Sequence, residues 1–503
     1  PADAPRNGED YYLREMRSRI VAVDGDTITV AEPLPYSFTA GIATAAESTF
    51  LKNIDLEGFT IQGRWGEPDP NLFEITLPAW EGISALEIDA VTESSVHNIS
   101  VEDAASHAFR LQRLYDVTGD HLTVDGAHNK AGGDGYSFLF DESFANNFTN
   151  LISIDGRHAV LFSAESAEHY NNVHVLFTNR DINFHGSPDA NNTIVVDRME
   201  QQYGDGTTLQ FPAVGPGSFP LHPNSTISAN DVTFKYAVTG NRNDTVTAHA
   251  SGAYISTGLG NDRIIGGVGD DTIDGGENGD VMSGGRGRDT FLRQYADFTD
   301  TILDFQAGAL GDILVLKGTA FASFADLNLQ QRGSATVLSF GNGGAMTFNN
   351  TLVANFTSAN FVFQGDTMPG QTISLKADAF FALGTDQNDL INVTSFQTTN
   401  AAFVARGGKG VDTLAIAQQA LNGNLFDTGK YFGIDRFDIS QARFATVTID
   451  SRLVAQSDNK TLVLAVGNTG TPVGLNILPL DAGLSILIEG SREVRLQGGL
   501  SRT

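Results

Sequence analysis

The chain has no cysteine in 503 residues. That excludes disulfide staples, thiol catalysis and thiolate metal sites. Positive charge is scarce: 31 Lys and Arg stand against 60 Asp and Glu, a net charge of −29. Nucleic acid and anionic membranes are therefore excluded as partners. No apolar run reaches the about 18 residues of a membrane-spanning helix. The opening Pro1-Ala-Asp-Ala-Pro-Arg is polar and has no signal-peptide pattern. With no initiator Met, the chain is expected to be a processed form or a fragment. Hydrophobic content of 41% supports substantial cores, and the length predicts two to four domains.

What is present is a nine-residue register. Its positions run from 244 to 289 and carry Asp244, Asp262, Asp271, Asp280 and Asp289, with a gap at Ala253. Gly258, Gly260, Gly267, Gly269, Gly276, Gly285 and Gly287 punctuate it. Glycine permits left-handed backbone that turns the chain and exposes carbonyl oxygens. Asp adds a carboxylate, and calcium takes about six to eight such hard oxygens. A second register, Val246, Ile255, Ile264, Ile273, Met282 and Phe291, has the same period. These apolar residues predict one short inward-facing strand per half-turn. Together the registers predict a parallel β-roll holding several calcium ions, poorly folded without them because its carboxylates repel one another. Asp244 stands detached across the gap.

The rest of the chain also reads as β. Residues 1–50 form an opening segment of a β-helix, with a hairpin pattern at Ile20–Val30 around Asp24-Gly25. Over 51–205, apolar-ended triplets recur: Phe59-Thr-Ile61, Ile99-Ser-Val101, Leu122-Thr-Val124, Ile152-Ser-Ile154, Val175-Leu-Phe177 and Ile194-Val-Val196. Their uneven spacing, close to twenty residues with insertions such as the one at Arg64-Trp-Gly-Glu-Pro-Asp-Pro, predicts a right-handed parallel β-helix. Asn146-Asn147, Asn171-Asn172 and Asn191-Asn192 predict an asparagine ladder at one of its turns. The stretch 206–236, with Pro212, Gly215, Pro216, Gly217, Pro220 and Pro223, reads as a linker. The roll spans 237–292, its cap 293–365, and a β-rich domain 366–503. In that last domain Gly384–Asp389 and Gly407–Asp412 read as isolated, decayed nonapeptides off the nine-residue register. The fold class is thus all-β: β-helix, calcium roll, then a C-terminal β-rich domain.

From about 240 to 363 the chain resembles repeats-in-toxin (RTX) proteins. Asp300-x-Ile-x-Asp304-Phe305 and Ser323-Phe-Ala-Asp-Leu carry the likeness into the cap shared by serralysin-type proteases and mannuronan C5-epimerases. The resemblance implies type I secretion from a bacterium and calcium-driven folding outside the cell. No His-Glu-x-x-His occurs, so the protease branch is excluded. The upstream part resembles the pectate-lyase-like β-helix superfamily, a layout similar to the secreted epimerases. Their Asp-Pro-His-Glu signature is absent, since Asp69-Pro70 is followed by Asn71-Leu72. Epimerase residues therefore do not carry over.

Eight of the ten histidines lie between 97 and 185. His107, Tyr136 and His158 occupy comparable starts of successive coils, with Asp134, Arg157, Arg180, Asp181 and His185 nearby. Such a set suits epimerisation or β-elimination of a uronic acid: a cation neutralises the carboxylate while a neutral His or Tyr moves the C5 proton. The pair Asp134 and Asp181 suits glycoside hydrolysis instead. A stacked His column and turn-capping Arg and Asp are equally familiar as structural devices. Two functions follow: a calcium-dependent protein acting on an extracellular, acidic polysaccharide, or a non-catalytic surface, adhesin or matrix protein that assembles with itself or a cell surface.

Overall fold

The computed structural model describes residues 16–35, 46–163, 166–185, 189–201, 208–210, 230–240, 242–293, 298–317, 319, 321–340, 343–364, 370–375, 381–385, 387–393, 403–408, 410–416, 420–424, 430–441, 443–449, 451–457, 460–467, 473–477, 480, 482–491 and 494–497. They fall into two units, 1–313 with 328–360, and 314–327 with 361–503.

The first unit is built on parallel sheets. One begins at Asp55–Gln62 and continues through Val91–Ala104, Tyr115–Ala127, Asn147–Ile154 and Asn172–Thr178. It passes through Thr193–Val196 and Met199–Glu200 to Asp231–Phe234 and Tyr236–Val238. From there it enters the roll at Tyr254–Ser256, Thr272–Asp274 and Thr290–Arg293. A second sheet stacks Ser84–Asp89, His107–Gln112, Tyr136–Asp141, His158–Phe162, Ile182–Phe184 and Thr208–Gln210. Like packs on like between rungs of this β-helix. Phe140, Phe162 and Phe184 stack at 5.4 and 4.9 Å, and Phe109 on Phe138 at 5.3 Å.

The triplet columns are displaced in places. Ile61 pairs with Val101 and Val101 with Val124, but Val124 pairs with Ser153, not Ile154. Ser153 faces inward and bonds Ser137 across the core at 2.9 Å. A register shift within Leu151–Ile152 then offsets the following rung. Within the stretch expected as linker, Thr208–Gln210 and Asp231–Phe234 are strands instead, pairing with Ile182–Phe184 and Thr193–Val196. The Gly- and Pro-rich positions 212–223 lie outside the described residues. The opening segment is also not a rung. Ile20–Asp24 and Thr27–Val30 form an antiparallel hairpin, held beside the helix by Arg17–Glu142 and by Tyr115, whose hydroxyl donates to Glu32 and accepts from the Arg19 N–H.

The asparagine ladder is Asn146, Asn171, Asn192 and Asn230. Each of the last three accepts, at its Oδ1, the side-chain and backbone N–H of the Asn one rung before it. Each also donates its amide to a backbone carbonyl. The side-chain amides and the backbone groups they reach at this buried turn are paired this way.

In the roll, three-residue strands alternate between two sheets. Arg263–Ile265 pairs with Thr245–Thr247 and Val281–Ser283, while Thr272–Asp274 pairs with Tyr254–Ser256 and Thr290–Arg293. Val246, Ile255, Ile264, Ile273, Met282 and Phe291, the second register, are all buried. At the far end Ala335–Ser339 lies antiparallel to Ala345–Phe348, and Phe305 packs on Phe348 and Phe356.

The second unit is a solenoid of its own. Three parallel sheets repeat through it, the longest running Thr372–Ser374, Leu390–Val393, Thr413–Ile416, Arg436–Asp438, Thr461–Ala465 and Ser485–Glu489. Ile391, Leu414, Phe437, Leu462, Leu464, Val447 and Leu475 belong to one buried core. The two decayed nonapeptides are therefore not isolated: Leu390 pairs with Thr413 and Thr413 with Arg436, so they sit on consecutive rungs.

Candidate calcium centre and acid–base cluster

The nine-residue register resolves into two stacks, because alternate repeats fall on opposite edges of the roll. On one edge, the Asp262, Asp280 and Asp300 Oδ1 atoms accept the backbone N–H of Asp244, Asp262 and Asp280 at 2.7, 2.8 and 3.0 Å. On the other, Asp271, Asp289 and Asp312 accept from Ala253, Asp271 and Asp289 at 2.7, 2.9 and 3.0 Å. Asp244 is thus an ordinary first member rather than a detached one. Ala253 sits at the matching end of the other stack, where only its N–H is used. Asp300 and Asp312 were missed as stack members, because 20- and 23-residue steps replace the 18-residue step. Asp304 also joins, accepting from the Gly284 and Gly285 N–H groups.

With Oδ1 spent on the backbone, Asp271 also gives its Oδ2 to the Gly267 N–H at 2.8 Å, while two others keep theirs for something else. Asp280 Oδ2 and Asp289 Oδ2 are buried, and no described residue donates a hydrogen bond to either. Each lies against a glycine: a Cβ on Gly275 would sit 2.5 Å from Asp280 Oδ2, and one on Gly284 2.2 Å from Asp289 Oδ2. At Gly276 and Gly285 the backbone is left-handed (φ +79° and +84°), and an added Cβ would strike the carbonyl of Gly258 or Gly267. Burial, opposed only in part by the backbone N–H bonds, pushes the Asp262 and Asp271 carboxyls up to about 6 and those of Asp280 and Asp289 to about 7. Buried carboxylate oxygens with no donor fit a cation. Among the described residues no three acidic or imidazole side chains converge on one metal position, so further oxygens must come from the glycine-turn carbonyls.

Residues 256–291 match the RTX calcium-binding nonapeptide repeat, in four copies. The RTX repeats bind calcium ions. Gly258, Gly260, Gly267, Gly269, Gly276, Gly285 and Gly287, with Asp262, Asp271, Asp280 and Asp289, all lie in the matched segment. No curated protein matches the chain.

Upstream of the RTX roll, the acid–base candidates come together at the start of the second sheet. The rings of His107 and Tyr136 stack at 4.9 Å, and those of Tyr136 and His158 at 5.4 Å. His185 meets both Tyr136 and His158 edge-on, at 5.7 and 5.9 Å. The Arg157 guanidinium lies 5.8 Å from the centre of the Tyr136 ring. His158 Nδ1 is 2.9 and 3.0 Å from the two Asp181 oxygens, and Asn183 donates to Asp181 at 3.0 Å. Asp181 therefore orients the His158 ring through its Nδ1. Burial is the first cause of every shift here. It pushes His107 down to about 4 and His185 down to about 3, and Tyr136 up to about 12. At neutral pH these two imidazoles are uncharged and the phenol is protonated.

Asp134 has another role. Its Oδ1 accepts from the Gly82 N–H at 2.9 Å and from Ser106, and lies 3.7 Å from His107. Asp134 and Asp181 are 3% and 0% exposed. A two-carboxylate hydrolysis needs both to reach the sugar, so this pair does not suit it.

Lys130 escaped notice in the sequence, and Arg180, read there as a neighbour of the acid–base candidates, joins it beneath the insertion. Both are fully buried, and both cations lie over the ring of Phe73, at 5.7 and 5.4 Å. They donate to the carbonyls of Asp69 and Pro70. The composition of the 64–83 insertion said loop; nothing in it foretold two cations beneath.

Proposed function

We propose that the chain is a secreted bacterial protein that folds on calcium outside the cell and acts on an extracellular polysaccharide at the Tyr136–His158–His185–Arg157 cluster. The convergence of these side chains, with His158 oriented by both oxygens of Asp181, is the observation that carries the reading. The chemistry is proton transfer at C5 of a uronic acid. Arg157 neutralises the sugar carboxylate, a neutral imidazole accepts the proton, and the Tyr136 hydroxyl donates one. Among the described residues no helix is long and apolar enough to cross a membrane, which accords with release from the cell.

The test is incubation of the calcium-loaded protein with alginate, pectate and other polyuronates, followed by unsaturated-product absorbance and proton NMR. The expected result is double-bond formation or a changed C5 configuration, lost in His158→Ala with melting unchanged. No change across the panel overturns the catalytic reading.

One observation favours a non-catalytic role. His107, Tyr136 and His158 are only 7%, 5% and 6% exposed, as in a structural ladder. In that reading the β-helix is a rod that binds a glycan or a cell surface, or assembles with other copies.

A further inference from the structure

The chain's two tryptophans, Trp65 and Trp80, both lie in the insertion between Asp55–Gln62 and Ser84–Asp89. They come from its two ends yet meet, their rings 5.2 Å apart and inclined at 59°. His128, from the third rung, stands edge-on to Trp65 at 6.1 Å. Large aromatic rings are normally buried. These two remain 40% and 44% exposed, and Ile83 beside them 50%.

The insertion is held unusually firmly. Asn129 clamps Leu77 through both its N–H (2.7 Å) and its carbonyl (3.0 Å). The Lys130 N–H donates to Glu74, the Thr76 hydroxyl to His128, and the Gly82 N–H to Asp134. Lys130 and Arg180, below the loop, bond its carbonyls. Burying two cations to fix a loop is costly. What the loop presents in return is a rigid, exposed indole pair. Preorganised aromatic surface binds at low entropic cost.

Charge selects the occupant. Pro68, next to Glu67, packs over Gly126, and a Cβ on Gly126 would lie 3.7 Å from Asp103 Oδ1. Partial desolvation, then the charges of Asp155, Asp103, Glu102 and Glu67, raises the Asp125 carboxyl above its ordinary range. A carboxylate rim repels a polyuronate or any polyanion. It accepts hydrogen bonds from hydroxyl groups, while indole faces cover the C–H faces of a sugar ring.

We propose that Trp65 and Trp80 form a stacking subsite for uncharged, hydroxyl-rich sugar units, with Glu67 and Asp103 as hydroxyl acceptors. The proposal rests on the polysaccharide part of the reading above and is independent of its acid–base chemistry. Through Gly82 and Asp134 the loop is tied to the corner that carries His107. A heteropolymer of neutral and uronic units fits both places.

Because no other tryptophan exists, indole fluorescence reads this site alone. The calcium-loaded full chain is titrated with neutral glucan, mannan and xylan oligosaccharides and, separately, with oligouronates. A saturable fluorescence change with a neutral oligosaccharide is expected. By calorimetry, affinity falls at least about tenfold in Trp65→Ala and in Trp80→Ala, at unchanged melting temperature. Three outcomes overturn the subsite: no neutral oligosaccharide binds, only oligouronates bind, or the variants bind as the parent does. A fluorescence change on dilution, matched by dimer dissociation in sedimentation, also overturns it, by assigning the indoles to a second copy. Turnover of polyuronates is measured in parallel. Binding without turnover sinks the acid–base reading alone, and turnover without neutral-sugar binding sinks the subsite alone.

Discussion

The RTX roll and the C-terminal solenoid use one turn in two ways. In both, an aspartate Oδ1 accepts the backbone N–H of the equivalent residue one rung back: Asp280 from Asp262, and Asp412 from Asp389 at 2.7 Å. In both, a glycine makes room for the carboxylate, Gly275 in the roll and Gly384 or Gly407 in the solenoid. Asp271 Oδ2 in the roll and Asp389 Oδ2 in the solenoid each accept the N–H of the residue four earlier, Gly267 or Thr385; it is Asp389 and Asp280 that part at this oxygen. Asp389 Oδ2 accepts from the Thr385 N–H and, at 3.0 Å, from its hydroxyl. No described residue donates to that of Asp280. The cores differ in the same sense. From Asp262 to Leu292 the roll buries one apolar residue per half-turn, whereas the solenoid has one broad apolar cluster. A hydroxyl facing a carboxylate is not by itself the dividing line, since the Asp262 side chain in the roll also bonds the Thr257 hydroxyl. The lesson is that a recurring Gly-Asp turn does not by itself state a calcium requirement; the buried Oδ2 atoms of Asp280 and Asp289, which no described residue answers, are what call for an ion.

Calcium removal breaks the comparison most sharply. With a chelator, amide hydrogen exchange accelerates across 242–293 while 403–416 and 460–467 stay protected, and the roll's melting transition falls by about 10 °C or more. Equal loss of protection in both regions overturns the contrast. Single carboxylates come next. Asp280→Asn weakens calcium binding at least about tenfold by titration calorimetry. Asp389→Asn disturbs its bonds to Thr385 at a cost of about 1–3 kcal/mol, the same with and without calcium in denaturant melts.

Acidity sharpens the contrast further. The roll carboxyls have folded pKa values of about 6 to 7, raised above their unfolded values near 3.8. The ion-free folded roll therefore holds extra protons. Their stabilisation is fully present below about pH 4 and lost as pH rises through 6 to 7. Circular dichroism without calcium should show more β-structure at pH 4.5 than at 7.5, and calcium affinity should rise over the same interval. A flat profile counts against the buried-carboxylate account. The smallest effect is expected at Asn171→Ala. It leaves groups of Asn146 and Asn192 unanswered, for about 1–3 kcal/mol of β-helix stability, and the loss should not depend on calcium.

Periodic features were the ones legible in the sequence. The roll's two registers could be read because each rung repeats the same two chemical demands at a fixed interval. The column of His107, Tyr136 and His158 could be found because rung starts recur. Register slips could not: Ser153 replaces Ile154 in its column because a hydroxyl inside the core finds Ser137, a partner no periodicity announces. The second solenoid was also missed. From Asp389 through Asp412 to Asp435 its rungs step by 23 residues, off the nine-residue register, so Asp389 and Asp412 looked solitary until strand pairing aligned them. The place of Lys130 and Arg180 beneath the insertion was invisible for a related reason, since both reach backbone carbonyls of that distant loop, which carry no residue identity.

One sheet runs without a break from the β-helix into the roll, Tyr236–Val238 pairing directly with Tyr254–Ser256. If calcium is withdrawn and the roll opens, that strand loses its neighbour and exposes a row of unpaired N–H and C=O groups beside the buried ring of Tyr236. A bare parallel edge is a template for any other extended chain. Calcium therefore guards solubility as well as shape: in its absence the danger to this protein is adhesion between half-folded copies.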